Sequence, residues 1–276
     1  MAEAATGRLR ITILGSGASP GVPRIGNDWG ACDPAEPKNR RRRCSILIDR
    51  FGPESDAPTR ILVDTGPDLR EQMLSAAVTR LDGVLYTHAH ADHTHGIDDL
   101  RSFWINNRML VPVYTDDETQ ARLEEAFGYC FRTPPGGSYP PILARHRIAI
   151  GTTLTIDGPG GPLSILPFRQ VHGAIDSLGF RIGGFAYSSD ISDLPDESRG
   201  AVSGLDLWIV DALRYTRHPS HWSVEETLAA IEAFRPGRAV LTHMHGDLDY
   251  ATLAARLPNG VEPGYDGMIV DLPYSF

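Results

Sequence analysis

Apolar residues alternate with polar ones, or run unbroken, in short stretches bounded by Gly, Pro and Asp, which is the pattern of strands. Such stretches at 8–14, 44–49, 60–63 and 83–86 open the chain as sheet. Residues 68–76 (DLREQMLSA) read as a helix capped by Asp68, and 117–127 (DETQARLEEAF) as a second. Both follow strands, as in β–α units. Between Phe127 and Pro141 the sequence GYCFRTPPGGSYPP is too rich in Gly and Pro to continue a helix or a central strand. It predicts a surface loop that is free to serve as a lid.

The second half repeats the rhythm, with strands predicted at 153–156, 163–171, 178–182, 185–187 and 206–210, then a helix, then a strand at 238–241. Ser223 with Glu226 three residues on makes a capping box ahead of Leu228, Ile231 and Phe234, and Pro236-Gly237 ends that helix. A short helix at 250–257 and a strand at 268–270 close the pattern. Two sheet-rich halves, each with helices, predict an α/β (α+β) fold in four layers, an αββα sandwich. No short repeat or linker-like break divides the chain. The expected organisation is one domain over 8–276 behind a flexible stretch at 1–7.

Composition narrows the function classes. The 276 residues are 41% hydrophobic and 22% charged, which excludes disorder, collagen and coiled coil. With 26 basic against 35 acidic side chains the net charge is −9, which opposes stable binding to nucleic acid or to an anionic membrane. An anionic substrate therefore needs a local positive centre. Three cysteines, Cys32, Cys44 and Cys130, form no Cys-x-x-Cys and leave one over, as buried thiols in a reducing compartment do. The opening MAEAATGRLR lacks an apolar core and no later stretch reaches the ~18 apolar residues of a membrane span, so a cytoplasmic location is expected.

The strongest chemical signal is LYTHAHADHTHG, which places His88, His90, Asp92 and His93 within six positions directly after a predicted strand. Residues two apart in extended chain point the same way, so His88 and His90 can pinch one cation from the strand end. Where the chain turns towards a helix, Asp92 and His93 can reach a second. Imidazole and carboxylate suit Zn²⁺, Mn²⁺ or Fe, and no nearby cysteine closes the site, which leaves an open, catalytic coordination sphere.

His88-x-His90-x-Asp92-His93, preceded by Leu62-Val63-Asp64-Thr65-Gly66 and followed by isolated His172, Asp190 and His243, resembles the metallo-β-lactamase-fold hydrolases over nearly the whole chain. The resemblance implies that His88, His90 and His172 hold one metal ion, that Asp92, His93 and His243 hold another, and that Asp190 bridges them. Asp64 then orients ligands from behind. Secreted β-lactamases of this fold carry a signal peptide and a Cys where Asp190 stands. The flavin-coupled diiron reductases replace the second motif histidine by Glu. This chain has none of these features.

Arg217-His218-Pro219-Ser220-His221-Trp222-Ser223, just before the capped helix, resembles the phosphodiesterase branch, which includes tRNA 3′-processing endonucleases and PhnP-type phosphoribosyl cyclic phosphodiesterases. The opening Leu14-Gly-Ser-Gly17-Ala-Ser-Pro-Gly21-Val-Pro23 is closer to the PhnP type. The resemblance makes His221 the general acid and Asp92 a catalytic as well as a ligating residue. His218 reads as structural, and His245 as a residue facing substrate. PhnP-type members often carry a structural zinc on a cysteine trio, whereas only Cys32 stands here, so no structural zinc is expected. The run Arg40–Arg43 reads as a solvated or ion-paired face.

The implied function is a metal-dependent phosphodiesterase for a small, linear or cyclic, phosphodiester such as a ribose cyclic phosphate or a nucleotide. Two divalent ions, Zn²⁺ or Mn²⁺, ~3.5–4 Å apart would share the hydroxide that attacks phosphorus. Two alternatives stand beside it: a metallo-hydrolase of a lactone or thioester, and a non-catalytic metal- or nucleotide-binding protein. The expected partner is the small substrate, with no membrane and no stably bound nucleic acid, and with homodimerisation left open.

Overall fold

The computed structural model describes residues 7–53 and 55–274, so the stretch expected to be flexible lies, Gly7 apart, outside the described residues. The first half supplies β1 (Gly7–Gly15), β2 (Ser45–Phe51), β3 (Thr59–Val63), β4 (Gly83–Leu85), β5 (Val111–Thr115) and β6 (Leu143–Arg147). The second half supplies β7 (Leu154–Ile156), β8 (Leu163–His172), β9 (Ile175–Ile182), β10 (Phe185–Ser188), β11 (Leu207–Asp211), β12 (Arg238–Thr242), β13 (Val261–Pro263) and β14 (Ile269–Tyr274). They form two seven-stranded mixed sheets, ordered β14-β1-β2-β3-β4-β5-β6 and β13-β12-β11-β10-β9-β8-β7. The helices are α1 (Leu69–Ser75), α2 (Ala91–Thr94), α3 (Arg101–Asn107), α4 (Asp117–Phe131), α5 (Val224–Phe234) and α6 (Tyr250–Ala254). None is long and apolar enough to cross a membrane.

Alternation along each strand builds the layers. Ile46 and Ile48 of β2, Ile61 and Val63 of β3, and Leu207 and Ile209 of β11 share one core between the sheets. Their neighbours face outward: Leu47 and Leu62 lie under Leu69, Met73 and Leu123 of α1 and α4, while Trp208 and Val210 lie under Leu228, Ile231 and Phe234 of α5. The side-chain period of two thus splits the apolar residues between an inner core and two outer ones, and each fully buried Leu or Ile adds roughly 1.5–3 kcal/mol. This is the expected αββα sandwich.

Strand direction decides where chemistry can gather. β3 and β4 are parallel, as are β10, β11 and β12, while β8 and β10 are each antiparallel to β9 and so run the same way. Their carboxyl ends therefore point to one edge of the sandwich, the usual place for a ligand in such sheets. Asp64, His88, His172, Asp190, Asp211 and His243 all lie at or just past those ends.

Local expectations hold with some shifts. The α5 capping box is complete, with Ser223 accepting from the Glu226 N–H and the Glu226 carboxylate accepting from the Ser223 N–H. Asp68 does stand at the start of α1, but its carboxylate takes the Arg43 N–H (2.8 Å) and the Arg43 guanidinium (3.2 Å) instead of capping. α4 runs past the expected end to Phe131, with a kink at Phe127, because Cys130 is buried and its carbonyl accepts from the Ile142 N–H. The Gly/Pro-rich loop accordingly begins at Arg132.

Candidate metal centre

Three of the side chains at this edge come from residues that hold the left-handed backbone despite having a Cβ: Asp64 (φ 65°), Asp190 (φ 54°) and His243 (φ 57°). Such conformations are costly for non-glycine residues and cluster where a fold must aim a side chain. Here each turn follows a strand and throws its side chain across the end of the sandwich.

The imidazoles are tied from behind. His93 Nδ1 lies 2.7 Å from Asp64 Oδ2, and Asp64 is itself fixed by the Thr87 N–H and hydroxyl, each at 2.8 Å. Thr87 Oγ1 also lies 3.0 Å from His88 Nδ1, and His172 Nδ1 donates to the Ser220 carbonyl at 2.7 Å. A held Nδ1 leaves Nε2 of each ring facing forward, the arrangement that second partners impose on metal-binding histidines. His90 is turned the other way, its Nδ1 3.2 Å from His172 Nε2.

In front, the free nitrogens converge on Asp190. Asp190 Oδ2 is 3.1 Å from His93 Nε2, and Asp190 Oδ1 is 3.3 Å from His243 Nε2, 3.7 Å from His172 Nε2 and 4.0 Å from His88 Nε2. Asp92 Oδ2 lies 3.4 Å from His93 Nε2 and 3.7 Å from His243 Nε2. The ligand atoms of His88, His90 and His172 lie within 4.8 Å of one another, as do those of His88, His93 and Asp190 and those of Asp92, His93 and His243. His88, His93, His172, Asp190 and His243 are buried, whereas His90 is exposed, so the cluster opens on the His90 side.

Electrostatics show what this cluster is short of. Nε2 of His88, His93 and His243, with Asp190 Oδ2, are buried without a hydrogen-bond partner. Burial opposes charge on His93, yet Asp190, Asp92 and Asp64 hold its pKa well above the ordinary value. Burial likewise opposes charge on His243, but Asp190, Asp92 and Asp211 lift it to about 9. On His88 burial wins, with the charge of His93 adding to it, and the pKa falls. Orphaned nitrogens and oxygens around a carboxylate-rich point are a donor set that fits divalent cations.

His221 stands beside the cluster, its ring stacked on His243 (4.7 Å between centroids) and edge-on to His172 (4.6 Å). Its Nδ1 is 2.7 Å from Asp211 Oδ2 and its Nε2 3.9 Å from Asp190 Oδ1. Sequence reading did not single out Asp211, although LWIVD211 repeats the apolar-run-then-Asp signature of ILVD64. His245 joins none of the ligand groups and lies 3.2 Å from Asp247. His95 packs edge-on against Phe127 and His146 stacks on Tyr114. All three cysteines are free and buried, and burial pushes the Cys44 and Cys130 thiols up to about 12.

The family model for the beta-lactamase superfamily domain matches residues 59–244. The chain belongs to the β-lactamase superfamily. Among solved structures, a diphosphatase from the PhnP family is 32% identical, with a TM-score of 0.86 over 98% of this chain and 99% of that one. Ribonuclease Z of Bradyrhizobium diazoefficiens is 26% identical over 296 aligned positions, covering 85% of this chain and 96% of the relative. An octanoyltransferase of Porphyromonas gingivalis is 33% identical over 265 residues, 94% of this chain, which spans about half (51%) of that relative's length. The chain thus has the metallo-β-lactamase fold and resembles the PhnP family.

Proposed function

We propose that residues 8–276 act as one domain that hydrolyses a small phosphodiester at a two-cation site. The carrying observation is the set of forward-facing, unpartnered Nε2 atoms around Asp190 with the His221–Asp211 pair beside them. His88, His90 and His172 would hold one divalent cation, Zn²⁺ or Mn²⁺, and Asp92, His93 and His243 a second, with Asp190 between. Bound there, divalent cations supply Lewis-acid charge for phosphoryl oxygens and lower the pKa of a water.

The chain's own groups do the rest. Asp64, Thr87 and Ser220 fix the rings of His93, His88 and His172, so the donor set is organised before substrate arrives. Asp92, half-buried on the first turn of α2, also stands where a carboxylate can take a proton from water. His221 holds one proton on Nδ1 towards Asp211, whose buried carboxylate balances the charge when the ring carries two. Its Nε2 then faces the side of Asp190 where a leaving oxygen departs, and a proton given there contributes roughly 10²–10⁴-fold. The ligand groups that include His221 fit this role: Asp211 already occupies Nδ1, leaving Nε2 alone for chemistry. The similarity to a PhnP-family diphosphatase and to ribonuclease Z, whose names denote cleavage of a phosphoanhydride and of a phosphodiester, supports hydrolysis at phosphorus.

The test is elemental analysis of the purified protein followed by assays on linear and cyclic phosphodiesters, including cyclic ribose phosphates and cyclic nucleotides. His221→Ala should retain its metal and lose about 10²–10⁴-fold in turnover, and metal stripping should abolish activity. Unchanged phosphodiester turnover in His221→Ala, or faster hydrolysis of lactones or thioesters that ignores the substitution, would overturn the reading.

A further inference from the structure

Between β11 and α5 the chain forms a loop closed at its base by the Leu213 N–H to Trp222 carbonyl bond (3.0 Å), and this loop carries His221. Its sequence, Leu213-Arg-Tyr-Thr-Arg-His-Pro-Ser-His-Trp222, contains two arginines, two histidines and no carboxylate, in a chain of net charge −9. Arg217 is neutralised by Glu226 at 2.6 Å. Arg214 is not: its guanidinium donates only to the carbonyls of Thr216 (3.2 Å) and Arg217 (3.0 Å), and among the described residues no carboxylate pairs with it. Two carbonyls hold this half-buried cation in place without cancelling its charge.

His218 sits in the same loop, half-buried, with its ring 5.3 Å from that of His221. Its Nδ1 receives the Ser220 N–H (3.3 Å) and lies 3.1 Å from the Ser220 hydroxyl. A neutral ring that accepts at Nδ1 carries its hydrogen on Nε2. Burial lowers the His218 pKa, and the nearby charges of His221 and Arg214 lower it further, so this tautomer is the form present at neutral pH. Ser220 also ties the loop to the cluster, since its carbonyl receives His172 Nδ1. His218 thus offers a fixed donor within 5.3 Å ring to ring of His221, near enough to Arg214 to feel its uncompensated charge.

We propose that Arg214 and His218 form a subsite for an anionic group on the leaving side of the substrate, which selects compounds whose leaving group carries a phosphoryl group of its own. The inference rests on the phosphodiesterase reading, because it takes His221 to mark the leaving oxygen. In a diphosphate or a phosphorylated sugar ester, the second phosphoryl group follows within a few bonds of that oxygen. Arg214 supplies its countercharge and His218 Nε2–H a directed hydrogen bond. Neither residue touches the bond that breaks, so both determine specificity, and neither is a catalytic residue.

The experiment uses the metal-loaded protein, with inorganic pyrophosphate as the probe and orthophosphate as the reference, both followed by titration calorimetry. Arg214→Gln should weaken pyrophosphate about tenfold and change orthophosphate less than about twofold. His218→Asn keeps an acceptor near the Nδ1 position but loses the distal donor, and should show the same selective loss. His218→Gln places an amide N–H near the Nε2 position and should restore most of the pyrophosphate affinity. Equal losses for the two anions, indistinguishable Asn and Gln variants, or no pyrophosphate binding by the wild type would each overturn the proposal. The readout is affinity, so it separates from the parent reading: a fully active His221→Ala protein sinks the phosphodiesterase mechanism whatever the two anions do.

Discussion

His243 and the backbone two to five residues beyond it each belong to a buried polar assembly, yet the two assemblies end differently. Around His243, imidazoles and carboxylates are packed so that His93 Nε2, His243 Nε2 and Asp190 Oδ2 have no partner. Around residues 245–249, Arg41 is 2% exposed, and its guanidinium donates to the carbonyls of Leu248 (2.7 Å) and His245 (3.4 Å) and to Asn39 Oδ1 (3.3 Å). Cys32 Sγ donates to the Gly246 and Leu248 carbonyls at 3.4 Å, and Asn39 Nδ2 reaches Asp249 at 2.7 Å. Leaving a buried polar atom unpaired costs about 1–3 kcal/mol. Both assemblies keep orphaned atoms, Arg41 Nε and His245 Nδ1 on one side and the imidazole nitrogens with Asp190 Oδ2 on the other, but only around Asp190 do the orphans converge as a cation would need. The carbonyl-bound Arg41 guanidinium holds the segment that follows His243 in place.

The contrast breaks most sharply at Asp190. Asp190→Ala removes the carboxylate that five imidazole nitrogens approach within 4.0 Å. Metal content should fall together with activity, with turnover down at least about 10³-fold. In chelator, the variant should melt below the wild type, since removing one partner of a buried ion pair leaves the charges that Asp190 raises on His93 and His243 uncompensated. A variant that melts early in chelator yet keeps its metal and its turnover would make Asp190 a structural residue.

Asp64→Asn gives a smaller effect at the same site. The amide keeps the shape but not the charge behind His93 Nδ1, so ring orientation weakens and metal affinity should fall about 10–100-fold. Competition with a graded chelator measures it, and an unchanged affinity would separate Asp64 from the cluster.

How much of this was legible in the sequence follows from how local each signal is. His88 to His93 lie in one turn after an apolar strand, so their proximity needs no fold to be seen. His172, Asp190 and His243 stand alone and became readable only through the family pattern, because nothing in a strand end states which way its last side chain faces. Asp211 stayed hidden for a related reason: its partner His221 is ten residues away across a loop, and a buried Asp after LWIV looks like any strand terminus. β5 and β6 escaped the strand pattern because Pro112 interrupts one and the other reads LARHR, mostly exposed at the sheet edge. Arg41 read as part of a basic surface run, but its neighbours diverge: Arg42 pairs with Asp266 and Arg43 with Asp68, while Arg41 turns inward. A run of like charges tells nothing about which members the backbone will bury.

Arg41→Met tests the guanidinium side of the comparison and carries the smallest expected effect. Methionine fills similar space without donors, so the Leu248 carbonyl loses its 2.7 Å partner in a buried setting, and stability should fall by about 1–3 kcal/mol in denaturant titrations. Burial already disfavours the Arg41 charge, which offsets part of the loss. Because the change leaves every atom around Asp190 in place, metal content should stay at the wild-type level and turnover within about threefold at temperatures where the variant remains folded. The opposite result, metal loss with unchanged stability, would mean that the two assemblies are one, and that the order of residues 245–249 comes from the cations.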